Sequence, residues 1–443
     1  MQFQLRRGKA LQTGITICCL LAFVLFGYDQ GVFSGALQSN DWQQQFGYPS
    51  DSKTGIIVSC YNLGCLSGCV VSFFVGERLG RRRTIWLAMS IVIIGAILQS
   101  TAFSLPHLVI GRVITGLGTG LETSTVPTYQ AELCDRRARG RLVASEILFV
   151  AIGVVVAYWF NFGMSYVGGS IAWRLPLALQ TVFALCAIAL VFVLPESPRW
   201  LHQHGRQLEA TEVLCAVYDM EPHDDYILAE TTAILSAIEM EQQAVESTSI
   251  FDKDEFMNQA SGINLIVYYI PSVLVQNVGK TAHEAQILAG LINTVFASHS
   301  SHDEGTHATA SAAVAFFFLY MFIFGAAVNC VPWVYVSEIL PLKARTRGAA
   351  IGVSSNWLWN FTVVMITPVI IHRIGWKAYL IFAATNLLFV PAVYFLYPET
   401  ANIRLEDIDR LFIDGVNPIT AAKHVAQEYE HSETIPGHKS EAP

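Results

Sequence analysis

The sequence predicts an all-α integral membrane protein: two pseudo-repeated halves of six helices, the second half incomplete, giving about ten or eleven spans. Three observations carry this. Charged residues are 14% of a chain that is 53% hydrophobic, with a mean hydropathy of +0.44. Soluble domains hold about 25% charged residues, so lipid is indicated as the solvent. Apolar runs near the roughly 20 residues that one span needs recur along almost the whole chain. Finally, one aromatic, acidic and basic string occurs twice, at matching places.

The runs lie at 13–35, 55–75, 84–102, 107–129, 142–162 and 171–194, then at 256–276, 285–297, 311–336, 349–372 and 377–397. The first is too long for a signal-peptide core and ends in GYDQG, so it reads as a retained span. The expected organisation is a six-helix bundle at 1–194, a helical linker at 195–255, an incomplete bundle at 256–397 and a tail at 398–443. Within the linker, 208–243 alternates acids with apolar residues and predicts short helices. Arg6, Arg7 and Lys9 precede the first span, Arg81, Arg82 and Arg83 follow the second, and Arg136, Arg137, Arg139 and Arg141 follow the fourth. The opposite loops are poor in Lys and Arg. The positive-inside rule places the N-terminus, these loops, the linker and the tail in the cytoplasm of a multi-pass protein.

The repeated string is VPTYQAELCDRRARGR at 126–141 and VPWVYVSEILPLKARTRG at 331–348. Each stands before the last two runs of its half. The halves differ in length: Asp29 to Glu132 is about 100 residues, whereas Gln259 to Glu338 is about 80. The run at 285–297 is too short to cross alone, and SHSSHDEGTH follows where the first half has GERLGRRR. About one span is missing from the second half, so an incomplete gene product is one reading of this chain.

Several function classes are excluded. The cysteines fall mostly in apolar runs and act as small packing residues, with no spacing that suggests a disulfide framework or zinc. His299, His302 and His307 sit in a polar loop without metal-ligand context. Gly116, Gly118 and Gly120 lie in an apolar run and serve close helix packing rather than phosphate binding. No nucleophile–base set stands out. No enzyme activity, cofactor, metal or nucleic-acid partner is expected.

The motifs are GERLGRRR (76–83), GRVITGLGTG (111–120), PESPRW (195–200), NQASGIN (258–264) with Tyr268 and Tyr269, VPWVYVSEI (331–339), NWLWNF (356–361) and PET…LEDID (398–409). Together and in this order the chain resembles the sugar porters of the major facilitator superfamily, in the flavour of fungal hexose or glycerol proton symporters. The resemblance covers nearly everything except about 297–310. It implies a monomeric secondary carrier of a sugar or polyol in the plasma membrane, coupled to protons.

Chemistry and resemblance together nominate residues. Asp29 lies deep in the first span, where a carboxylate is expensive and a functional candidate. Arg112 opens the fourth span, and in proton-coupled relatives the matching residues form an ion pair. Sugar hydroxyls want amides that both donate and accept, and the ring face wants an aromatic plate. The resemblance carries sugar contact onto Gln259, Asn264, Asn293, Trp333, Asn356 and Asn360; Trp357 is a further plate. For each amide, an interhelical hydrogen bond is the alternative. Gly76, Arg78, Arg81, Arg82, Glu132, Arg139, Glu196 and Arg199 in the first half, with Glu338, Arg345 and Glu399 in the second, resemble a cytoplasmic lock that biases alternating access. Two departures bear on substrate: Asn258 stands where the family pattern has a paired Gln, and Ile147 where the fifth span offers one. Glu146 is expected in a salt-bridge network. A polyol symporter, a facilitative uniporter, a nutrient sensor and a non-functional truncated carrier stay open as alternatives.

Overall fold

The computed structural model describes residues 7–134, 139–243, 345–374 and 377–396. The expected spans at 256–276, 285–297 and 311–336 lie outside the described residues, as do Gln259, Asn264, Asn293, Trp333, Glu338 and Glu399 and the side chains of Arg139 and Arg345. Every regular element among the described residues is a helix.

The first six apolar runs become α1 (Lys9–Gln38), α3 (Asp51–Leu79), α4 (Arg81–Ser100), α5 (Leu105–Leu133), α6 (Arg139–Ser165) and α7 (Ile171–Val193). Most overrun the apolar run, because polar residues continue the backbone ladder past the hydrocarbon. At 30 residues, α1 is about 45 Å long, the thickness of a bilayer with its headgroup regions. Between α1 and α3 lies a short helix that hydropathy does not predict, α2 (Asn40–Gln45). It closes one end of the bundle: Trp42 is fully buried between Phe33 and Phe46, and Trp173 Nε1 donates to Asp41 Oδ2 at 3.0 Å. The linker forms α8 (Pro198–Gln203), α9 (Gln207–Tyr218) and α10 (Asp225–Gln243). From the second half come α11 (Arg345–Ile374) and α12 (Ala378–Leu396).

Helices α1, α3, α4 and α7, with Leu148–Ser165 of α6, are long and apolar enough to cross a membrane. α5 is not among them. It carries Arg112, Glu122 and Glu132, and it can do so because α3, α4 and α1 surround it. Lipid-facing helices must be apolar; a helix enclosed by protein need not be.

Small residues set the approach of these helices. A Cβ on Gly116 would lie 2.1 Å from the Tyr61 carbonyl oxygen, and one on Gly120 2.0 Å from that of Cys65. In return, Gly64 and Gly68 of α3 meet the carbonyls of Val113 and Leu117. Backbones therefore touch along the α3–α5 seam, the packing mode that replaces hydrophobic drive within lipid. Gly27 and Gly153 join α1 to α6 in the same way. The buried cysteines Cys18, Cys19, Cys60, Cys65 and Cys69 fill these seams, as their positions in apolar runs indicate. α11 packs along α3: Gly55 abuts the Met365 carbonyl, and Asn62 Nδ2 donates to Asn360 Oδ1 at 3.0 Å.

Gly120→Val is expected to destabilise the bundle by about 1–3 kcal/mol or more, because backbone cannot yield as a side chain can. Gly163→Ala, at an exposed helical glycine with nothing within 4 Å of an added Cβ, is expected to be neutral or mildly stabilising. Unfolding temperatures of the two variants in detergent check this.

Candidate functional site

The buried polar chemistry gathers in two places. The first is central, where the two main apolar clusters of the bundle meet. Asp29 of α1 and Arg112 of α5 are both buried, with Arg112 Nη1 3.7 Å from Asp29 Oδ1. Gln180 of α7 donates from Nε2 to that same oxygen at 3.0 Å. Arg112 has further support: its Nη2 donates to the Val58 carbonyl at 3.3 Å, and its guanidinium lies 4.4 Å from the Phe33 ring centroid and 4.8 Å from that of Tyr61.

This arrangement suits a carboxyl that changes protonation. When Asp29 is ionised, Arg112 and Gln180 compensate it. When Asp29 is neutral, Arg112 keeps a carbonyl and two aromatic faces and is not orphaned, which lowers the cost of leaving a buried charge without its partner. Gln180 Oε1 has no hydrogen-bond partner, and an amide can accept the O–H of a protonated carboxyl as readily as it donates to a carboxylate.

Beside this pair, α11 presents Asn356, Trp357 and Asn360, all buried. Trp357 meets Phe26 and Tyr61 edge-on, with centroids 5.6 and 6.1 Å apart. Asn360 holds the hydrogen bond to Asn62. Three of the seven nominated sugar-contact residues thus lie on one helix, against the same α3 segment that touches Arg112.

The second place is the face carrying the basic loops, where seven nominated lock residues can be located. Arg81 Nε and Nη2 donate to Glu132 Oε2 and Oε1 at 3.1 and 3.0 Å, a fork that joins the start of α4 to the end of α5. Glu196 Oε1 accepts from the backbone N–H groups of Arg81, Arg82 and Ser197 at 2.9, 3.1 and 3.0 Å. The carboxylate thus caps the exposed donors at the α4 N-terminus, where negative charge is favoured. Arg82 caps the other polarity, donating from Nε and Nη2 to the Val191 and Phe192 carbonyls at the end of α7. Gly76 makes no close approach and Arg78 is exposed. The glycine that matters is Gly80: its φ is +86°, and a Cβ there would lie 2.6 Å from Glu196 Oε2. Arg199 lies on α8, whose Trp200 donates from Nε1 to the Glu77 carbonyl at 2.7 Å. Tyr129 Oη donates to the Pro195 carbonyl at 2.7 Å. Glu146 is buried on α6 and has no ion pair among the described residues; the side chains of Arg139 and Arg141, which the expected network would use, lie outside them.

Sequence reasoning passed over Gly80, Gln180, Asn62, Tyr61 and Glu122. A signal exists only for Glu122, a charge within the apolar run 107–129; the neutral amides Gln180 and Asn62 give none until their partners are brought together.

Burial pushes the Glu196 carboxyl above its ordinary range, against the opposing pull of the three N–H groups and Arg81. Its folded-state value exceeds its unfolded one, so folding takes up a proton here. Stability therefore falls as pH rises from the ordinary glutamate range through the raised value. Glu196→Gln keeps an acceptor oxygen but cannot titrate. Its unfolding temperature is expected to change less steeply than that of the wild type between about pH 4 and pH 7, as followed by scanning fluorimetry.

Comparison with known proteins gives concordant results. The profile described as "Sugar (and other) transporter" matches residues 15–302 and 298–412. Its two segments meet within the stretch where the second half falls short. The MFS-type transporter oryC of Aspergillus oryzae is 37% identical, over 91% of this chain and 86% of its own length. The sugar transporter STL1 of Saccharomyces cerevisiae is 33% identical, over 94% and 85%. Among solved structures, the major facilitator proton:xylose symporter XylE of E. coli superposes with a TM-score of 0.76 at 23% identity, covering 91% of this chain and 99% of that one.

Proposed function

Since this chain belongs to the sugar (and other) transporter family and has the major facilitator fold, we propose that it carries a sugar or polyol across a membrane with a proton, by alternating access. The observation that carries the proton reading is the buried Asp29–Arg112 pair and its independent second supports. The name of the relative STL1 supports a sugar as cargo.

Asp29 is protonated from outside, which loosens it from Arg112. Closure over bound sugar follows, and release of the proton on the other side lets the ion pair re-form. Sugar binds between the bundle at 1–194 and that at 256–397, held by Gln259, Asn264, Asn293, Trp333, Asn356, Trp357 and Asn360. The contact of Trp357 with Tyr61 and the bond of Asn360 to Asn62 support this reading. Asn360 exchanges its Asn62 bond for a sugar hydroxyl. Arg81, Arg82, Glu132 and Glu196, with Arg139, Arg199, Glu338, Arg345 and Glu399, bias the outward-facing state. The N-terminus and basic loops are cytoplasmic, the membrane is the plasma membrane, the carrier is a monomer and no enzymatic step is involved. The gathering of the Lys9 end of α1, the α4 start and α8–α9 on one face supports that orientation.

The test is uptake into proteoliposomes with D-glucose, D-xylose and glycerol as labelled probes. Wild type is expected to accumulate at least one of them in response to an inside-alkaline pH gradient. Asp29→Asn is expected to lose accumulation while retaining counterflow exchange. Accumulation by Asp29→Asn equal to wild type would remove the proton role, and wild-type uptake indifferent to pH would make the protein a uniporter.

A further inference from the structure

Glu122 takes no part in the chemistry above, yet its setting is unusual. It lies on α5, ten residues past Arg112 towards the basic face. It is fully buried, and neither carboxyl oxygen has a hydrogen-bond partner. No ion pair reaches it among the described residues. A structural carboxyl in such a place would be paired, so an unpaired acid inside a membrane bundle points to a working role.

Its neighbours give that role a direction. The helices packed against α5 present Cys18, Cys19 and Asp29 from α1, Tyr61, Cys65 and Cys69 from α3, Arg81 from α4, Glu146 from α6 and His202 from α8. Of these described groups, Asp29 and Cys18 are within electrostatic reach of Glu122. α1 and α5 run antiparallel, since Asp29 pairs with Arg112 while Gln12 and Thr13 share a cavity wall with Gln130 and Leu133. Helical side chains lean towards the N-terminus of their own helix, so Asp29 and Glu122 lean towards one another.

Beyond Glu122 the path continues. Pro127 has no N–H, which leaves the Thr123 carbonyl without its helical donor. Gln130 is fully buried with both amide atoms unpartnered, and it lines a cavity of about 320 Å³ with Gln12, Thr13 and Thr16 of α1. Polar groups left open at the wall of a roomy cavity are a setting for water.

We propose that Glu122 is a second proton-carrying site, which takes the proton from Asp29 and passes it to water in the Gln130 cavity. The Asp29 O–H breaks and leaves the carboxylate that Arg112 pairs with. The unpartnered Glu122 rests neutral; its O–H breaks to give hydronium in the cavity, and the proton from Asp29 then re-forms that O–H. This rests on the proton-coupled reading of Asp29.

The experiment is infrared difference spectroscopy of the purified full chain between acid and alkaline pH, reading the carboxylic-acid C=O stretch. It is joined to internal-pH recording in proteoliposomes challenged with D-glucose, D-xylose and glycerol. With the buried Glu146 removed as Glu146→Gln in every sample, the chain is expected to show two buried acid bands. Asp29→Asn removes one and shifts the other; Glu122→Gln removes the second. Glu122→Asp, which keeps an acid, retains a second band, and Cys18→Ala leaves both. Probe-driven acidification is expected to slow in Glu122→Gln on the order of tenfold, less than the full effect of a positioned proton-transfer group because water carries part of the traffic. A Glu122→Gln spectrum identical to that of its Glu146→Gln parent, or an Asp29→Asn spectrum that leaves the second band unmoved, overturns the proposal. Absence of acidification in the wild type with every probe, while both bands persist, counts instead against proton coupling.

Discussion

Two opposite charges placed in the middle of an apolar bundle constrain everything packed around them. Separated charges in such a medium are costly, and a buried ion pair repays that cost only when its remaining donors and acceptors are occupied. Here four helices contribute part of that: α1 the carboxylate, α5 the guanidinium, α3 a carbonyl and an aromatic face, α7 an amide, while Asp29 Oδ2 and Arg112 Nε and Nη1 have no hydrogen-bond partner among the described residues. None of these helices can shift alone without stranding a polar group. The pair therefore fixes the register of the first bundle as well as supplying its chemistry.

The basic face follows a related logic with helix ends in place of side-chain charges. The α4 N-terminus offers unpaired N–H groups and the α7 C-terminus unpaired carbonyls. Glu196 takes the first and Arg82 the second, so the turn at Gly80 and the turn after α7 are tied to one another. With Arg81 gripping Glu132, three helix termini share one knot.

Much of the architecture was legible in the residues, for a physical reason. A helix that faces lipid must be apolar along its length, so α1, α3, α4, α6 and α7 announce themselves by hydropathy alone. α5 and α11 were visible as the apolar runs 107–129 and 349–372, and the motif strings within them added which residues carry chemistry. α2 was invisible because NDWQQQ is six residues without an amphipathic period. Asp29 and Arg112 were legible because charge inside an apolar run is conspicuous. Gln180 and Asn62 were not, because a neutral amide barely changes a hydropathy profile, and its partner is known only once distant helices are brought together. Gly76 was chosen over Gly80 because both stand in the same motif; only the positive φ and the approach of Glu196 separate them.

The two kinds of seam in this bundle differ in what they let happen. Along α3 and α5, backbone rests on backbone at four glycines with small cysteine side chains filling the rest, so the contact has little compliance and resists sliding. Along α3 and α11, the bond between Asn62 and Asn360 joins groups that both give and receive hydrogen bonds, so the same surface can slip by a notch and latch again. The first seam is held by shape along its length, whereas the second combines one tight approach, Gly55 on the Met365 carbonyl, with an amide bond whose partners can be exchanged.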